Sequence, residues 1–130
     1  MKKIILLILL MIPFLIAQQA IYDNVVDIAW DTVAPDAGTT ITYEVFYAPL
    51  SDQSSYTVVG ETPNLEYTIS IADAGDWVVG VRTVRTIDAT GQRQLSPINW
   101  SHENGAWTPN PFYLRYYGPS PDAPVNLRQV

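Results

Sequence analysis

The stretch Trp77-Val78-Val79-Gly80-Val81-Arg82-Thr83-Val84 reads as a central β-strand. Successive side chains in a strand alternate between faces, so Trp77, Val79, Val81 and Thr83 share one side, and Val78, Gly80, Arg82 and Val84 share the other. The first is a core face. The second is also rather apolar, which suits a strand flanked on both edges and partly covered on its outer side.

Segments of the same kind lie on both sides of it. Val25-Val26-Asp27-Ile28-Ala29-Trp30-Asp31 sets Val26, Ile28 and Trp30 against Asp27 and Asp31, the pattern of a half-buried strand. Ile41-Thr42-Tyr43-Glu44-Val45-Phe46-Tyr47 turns Tyr43, Val45 and Tyr47 inward. Residues 56–59 make a short strand ending at Gly60, and Leu65-Glu66-Tyr67-Thr68-Ile69-Ser70-Ile71 alternates with apolar residues at every odd position. Beyond Val84, Asp88-Ala89-Thr90-Gly91 is a hairpin tip, and 94–101 is the return strand carrying Ile98 and Trp100. Ten prolines and seven glycines punctuate the chain often, and no amphipathic helix stands out. The expectation is an all-β fold, an antiparallel two-sheet sandwich of immunoglobulin-like type.

Glu44 and Arg82 predict a register. If they face each other in an antiparallel pair, Phe46 faces Gly80 on the outer side and Val45 faces Val81 inside. The ring of Phe46 is then placed to cover the bare backbone at Gly80.

The 130 residues suit one domain, with 48% apolar and 15% charged residues. Lys2 and Lys3 are the only lysines, so the rest of the chain sets five arginines against thirteen acids. That balance argues against nucleic acid and against an anionic membrane surface, both of which need a basic footprint. The absence of cysteine excludes disulfides, thiolate catalysis and cysteine-ligated metals.

Residues 1–17 have the parts of a secretory signal. Lys2 and Lys3 form the positive start, 4–12 the apolar run, Pro13 a break, and Leu15-Ile16-Ala17 a cleavage site. Cleavage is expected after Ala17, with Ala20 as second choice. The apolar run is shorter than the roughly 20 residues of a bilayer span, which makes a retained anchor the lesser reading. The remainder is expected outside the cytoplasm, secreted or at the cell surface, with no membrane insertion after cleavage.

Taken together, Val26-Asp27-Ile28-Ala29-Trp30, Tyr43-Glu44-Val45-Phe46-Tyr47, the Gly75-to-Val84 run, and Gly91 followed by Ser96-Pro97 resemble a fibronectin type III domain over residues 21–101. That resemblance implies Trp30 in the second strand, filling the middle of the core. The family usually has a tyrosine where this chain has Trp77, its hydroxyl closing a corner against the backbone. Trp77 donates only through its indole N–H, so the corner must be built differently. The family's first strand looks missing or very short. At the other end, 121–130 resembles its opening strand: the stub of a second module, a strand for the open edge of its own domain or of a neighbour, or a flexible tail.

No catalytic, cofactor or metal site is expected. His102 lies between Ser101 and Glu103, neighbours that point to opposite sides of an extended chain and so form no catalytic array. Asp73 and Asp76 bracket Gly75 in a turn, where acids bond their own backbone more often than a cation. Asn99-Trp100-Ser101 matches a glycosylation pattern but lies within a strand, and chance explains it better.

The outer face carries Phe46, Val78 and Val84, more apolar than a free surface. The aromatic extension 102–130, with Trp107, Phe112, Tyr113, Tyr116 and Tyr117, is the expected cover. As a docking patch for a protein or glycan, the candidate residues are Phe46, Trp107, Tyr113, Tyr116 and Tyr117. The loops 35–40 and 86–93 fall at one end of such a sandwich and lack an Arg-Gly-Asp tripeptide. Three functions fit: an exported non-enzymatic interaction, adhesion or spacer module; a structural subunit of a surface assembly or virion, self-associating through 125–130; or a carbohydrate-binding accessory domain.

Overall fold

The computed structural model describes residues 18–103, 108, 110–119 and 121–130. The proposed signal 1–17 and Trp107 lie outside the described residues. The described residues form nine strands: β1 (Gln19–Ile21), β2 (Val25–Ala29), β3 (Thr39–Pro49), β4 (Thr57–Thr62), β5 (Glu66–Ser70), β6 (Gly75–Ile87), β7 (Arg93–Leu95), β8 (Asn99–Trp100) and β9 (Phe112–Tyr116). A 3₁₀ turn, Gln53–Ser55, follows β3. No helix among the described residues is long and apolar enough to cross a membrane.

The strands form two layers in a sandwich-like arrangement. The larger sheet runs β1-β9-β6-β3-β4, with β7 and β8 also bonded to β6. The smaller one is the antiparallel pair β2-β5. β6 is central, as its two apolar faces require. On one side it meets β3 along that strand's whole length, from Thr39 opposite Ile87 to Pro49 opposite Trp77. Within this ladder Glu44 faces Arg82, Val45 faces Val81 and Phe46 faces Gly80, the predicted register.

On its other side β6 meets three short strands in succession, and here the predicted single return strand is corrected. β7 pairs at Val84, β8 at Gly80 and β9 at Trp77. Between β7 and β8 the ladder passes through Ser96, whose hydroxyl accepts the Thr83 N–H at 2.9 Å. Pro97 then has no N–H to offer. Beyond β8, β9 begins at Phe112, whose N–H donates to the Ser101 carbonyl at 2.8 Å. The extension set apart as 102–130 therefore supplies a strand of the same sheet, with Leu114 fully buried.

The all-antiparallel expectation fails at one pair. β1 runs parallel to β9, Gln19 opposite Phe112 and Ile21 opposite Leu114, so the larger sheet is mixed. The Gln19 N–H also donates to the Pro111 carbonyl at 2.9 Å, pinning the start of β1 beside the start of β9. A further difference lies in β4, which continues through Gly60 to Thr62 with a bulge opposite Val45 and Phe46. Gly60 is a close approach rather than a strand end: the Tyr67 hydroxyl sits 2.6 Å from where its Cβ would stand.

Between the layers, Val45, Ile69, Ile71, Val79 and Leu114 form the buried core, flanked by Val26, Ile28, Tyr67 and Trp77. Trp30 does not fill its middle. It follows the end of β2, is partly buried, and packs on Tyr43 with ring centroids 5.4 Å apart. A second cluster, Phe46, Ala48, Val78 and Trp100, lies on the outer face of the large sheet, with Leu50, Ile98 and Tyr113 against it. Its main cover is Trp100 from β8, only 7% exposed, rather than the aromatic extension, which contributes Tyr113. Trp100 and Ile98, not Phe46, occupy the space above Gly80: each would stand 2.6 Å from a Cβ placed there.

Candidate interaction surfaces

The two loops expected at one end of the sandwich do meet there. The Asp88 N–H donates to the Gly38 carbonyl at 3.0 Å, the Thr40 hydroxyl donates to the Asp88 carboxylate at 2.6 Å, and Arg85 pairs with Asp36. Gly38 and Gly91, at φ of 76° and 73°, make the left-handed turns these loops need. The loops thus bind each other, and their exposed residues are mostly polar.

At the opposite end the chain turns from β5 into β6. The Trp77 indole N–H donates to the Asp73 carbonyl at 3.0 Å, closing the corner. Both carboxylate oxygens of Asp76 accept from Arg115, at 2.9 and 3.0 Å. Those hydrogen bonds hold the Asp76 carboxyl below its usual range, and the same contact holds Arg115 still more firmly protonated. Asp76 is therefore committed to Arg115, and no metal-binding cluster occurs among the described residues. Asp52, which caps the 3₁₀ turn at this end, is likewise lowered by hydrogen bonds from Ser54 and Ser55.

The five candidate residues separate. Phe46 is fully buried, under Arg82, whose guanidinium lies 5.0 Å from the ring centroid. It is a core residue. Tyr113 is half-buried on the outer cluster with Arg115 above its ring at 5.4 Å, and Tyr116 is half-buried at the end of β9. Tyr117 alone of the described four is open, 78% exposed, and stacks on Tyr22 with centroids 6.2 Å apart. Tyr22 is itself 67% exposed, and nothing local in the sequence signals its pairing with a residue so far along the chain. The two rings make an aromatic patch with polar tips, suited to a protein or a sugar face. Ser101, beside His102, turns its hydroxyl inward to accept the Val79 N–H at 3.1 Å.

The outer face of the large sheet carries a chain of charges. Glu44 and Glu61 lie directly opposite each other on β3 and β4. Arg93 bridges them, at 3.1 Å from Glu44 and 2.6 Å from Glu61, while Arg82 holds Glu44 from the other side at 3.2 Å.

Among the described residues β1, β2, β4 and β5 each have one strand partner, and the free edge of β2 is the one that follows directly from its ladder. The Trp30 N–H donates to the Leu65 carbonyl at 3.1 Å and the Ile71 N–H to the Asn24 carbonyl at 2.8 Å, so the even-numbered residues of β2 bond β5. Antiparallel ladders alternate, which turns the N–H and C=O groups of Val25, Asp27 and Ala29 away from it. The Val25 N–H is taken by the Asp23 carboxylate at 3.2 Å. β2 has no second strand partner among the described residues. The stretch 121–130 forms no strand, and its apolar side chains are bare: Val125 is 82% exposed and Leu127 96%.

No family model matches the chain, and no curated protein or solved structure is significantly similar to it.

Proposed function

We propose that the chain is an exported, non-enzymatic interaction module resembling a fibronectin type III domain, and that it acts by docking. The observation that carries this reading is an unpaired β2 edge in the same molecule as an unpaired 121–130 whose apolar side chains are exposed. Exposed strand edges are templates for pairing and are ordinarily blunted or covered. The ion pairs Arg82–Glu44–Arg93–Glu61, Asp76–Arg115 and Asp36–Arg85 support the same view, because they tie charged side chains to one another across the scaffold. The corner at Trp77 fits the resemblance too: an indole N–H reaches back to the backbone where the family uses a tyrosine hydroxyl.

Expressed from its full sequence in a host with a secretory pathway, the protein is expected outside the cytoplasm with a new N-terminus near Gln18. Retention inside, with Met1 intact, contradicts the reading. A second reading, a structural subunit of a surface assembly, is favoured by the bare Val125 and Leu127. Concentration-dependent oligomers that vanish when 125–130 are removed support it, and a monomer at every concentration opposes it.

A further inference from the structure

We infer that 125–130 of one copy adds as an antiparallel strand to the open edge of β2 in a second copy, with Arg128 opposite Asp27. The inference rests on the assembly reading and names its acceptor, direction and register.

The direction follows from where the stretch leaves the fold. Gly118 lies beside Ala74, and Tyr117 stacks on Tyr22, at the same end as the Asn24–Ile71 contact that begins β2. A molecule's own 121–130, running on from that end, would lie parallel to β2. Parallel pairing is the less stable arrangement. To enter antiparallel it must first span the whole strand. A stretch arriving from a second copy has no such constraint.

The register follows from side chains. With Arg128 opposite Asp27, Leu127 faces Ile28 and Val125 faces Trp30 on the inner side, where both acceptor residues are only partly buried. On the outer side Val130 faces Val25, itself 43% exposed, and Asn126 faces Ala29. The same pairing brings Arg128 and Asn126 to Asp27 and Ala29, two of the residues whose N–H and C=O groups face the edge. Pro124 arrives opposite Asp31 without an N–H and ends the ladder. Shifting by one residue would turn Val125 and Leu127 to water and Arg128 to the core. Because the donor stretch and the acceptor edge are different surfaces, the contact is heterologous, and copies add head to tail.

The chain lacks cysteine, so an introduced pair reports the contact directly. Ala29→Cys and Asn126→Cys are made in separate copies of the exported protein, mixed and oxidised, with Thr57→Cys on the exposed β4 edge as the alternative acceptor. Each variant's β-sheet circular dichroism is checked first. The expected result is a 29–126 cross-linked dimer in excess over the 57–126 product. Asp27→Arg in one copy is also expected to weaken association, with recovery when the other carries Arg128→Asp. Oligomers that depend on 121–130 but cross-link equally at 57, or show no recovery on charge exchange, overturn this inference and leave the assembly reading standing. Oligomers that persist without 121–130, or a monomer throughout, overturn both.

Discussion

The indole N–H of Trp77 donates to the carbonyl of Asp73 at 3.0 Å, across the corner that launches the central strand. Gly75 lies beneath the ring at φ 144°, a conformation open to glycine, and a Cβ there would stand 3.3 Å from the indole nitrogen. Trp77→Phe keeps a smaller aromatic ring and removes the donor; the lost hydrogen bond alone is expected to cost about 1 kcal/mol. Gly75→Ala adds backbone strain and is expected to cost more, about 1–3 kcal/mol. Urea unfolding of both variants checks the order, and an equal or reversed cost argues against the corner.

Trp100→Ala is expected to be more damaging than Trp30→Ala, because Trp100 is 7% exposed and roofs the outer cluster while Trp30 is only partly buried. Truncating a buried Trp costs about 3–5 kcal/mol, a large part of the roughly 5–15 kcal/mol that holds a domain folded. Gly80→Ala drives a methyl into the same indole and is expected to cost about 1–3 kcal/mol. Thermal unfolding of the three variants decides. A melt of Gly80→Ala close to the parent's would remove Trp100 from its assigned place.

Arg93→Ala leaves Glu44 and Glu61 facing each other without their bridge. The expected loss is about 1 kcal/mol, and most of it is expected to return in Arg93→Ala/Glu61→Gln, where the repulsion is gone. Equal stability of the single and double variants, measured in urea, contradicts the role given to Arg93.

The Asp76–Arg115 pair predicts a pH dependence. Folding lowers the Asp76 pKa from its ordinary value of 3.8, so the pair's contribution is full above that value and is lost as pH falls through the lower, folded value. The difference in Tm between the parent and Asp76→Asn is expected to hold above about pH 5 and to shrink below about pH 4. A difference that does not change with pH contradicts the assignment.

Much of the scaffold is legible in the sequence because its signals are local or complementary. Period-two alternation marks β2, β3, β5 and β6, and the charges of Glu44 and Arg82 with the gap at Gly80 set the register of β3 on β6. The edges are not legible in that way. β1 has three residues, too few to show a period, and its parallel partner lies beyond the whole of the rest of the fold. β9 alternates Phe112, Leu114 and Tyr116 with Tyr113 and Arg115, but the Gly- and Pro-containing sequence after Ser101 breaks its continuity with β8, so it reads as an aromatic extension. In the sequence Phe46 reads as a contact residue because the cover above it comes from Trp100, whose outer position follows only once its pairing with Gly80 is known. The open edge of β2 is invisible for the same reason: it depends on β1 having gone to the other sheet.

Hydrogen exchange of the β2 amides tests that edge most directly. In the dilute protein, Ile28, turned toward β5, is expected to be protected, and Asp27 and Ala29, turned away from it, are expected to exchange as open backbone does. As concentration rises, Asp27 and Ala29 are expected to gain protection while Ile28 changes little. Protection of Asp27 and Ala29 equal to that of Ile28 in dilute solution, or no gain at any concentration, would contradict the account.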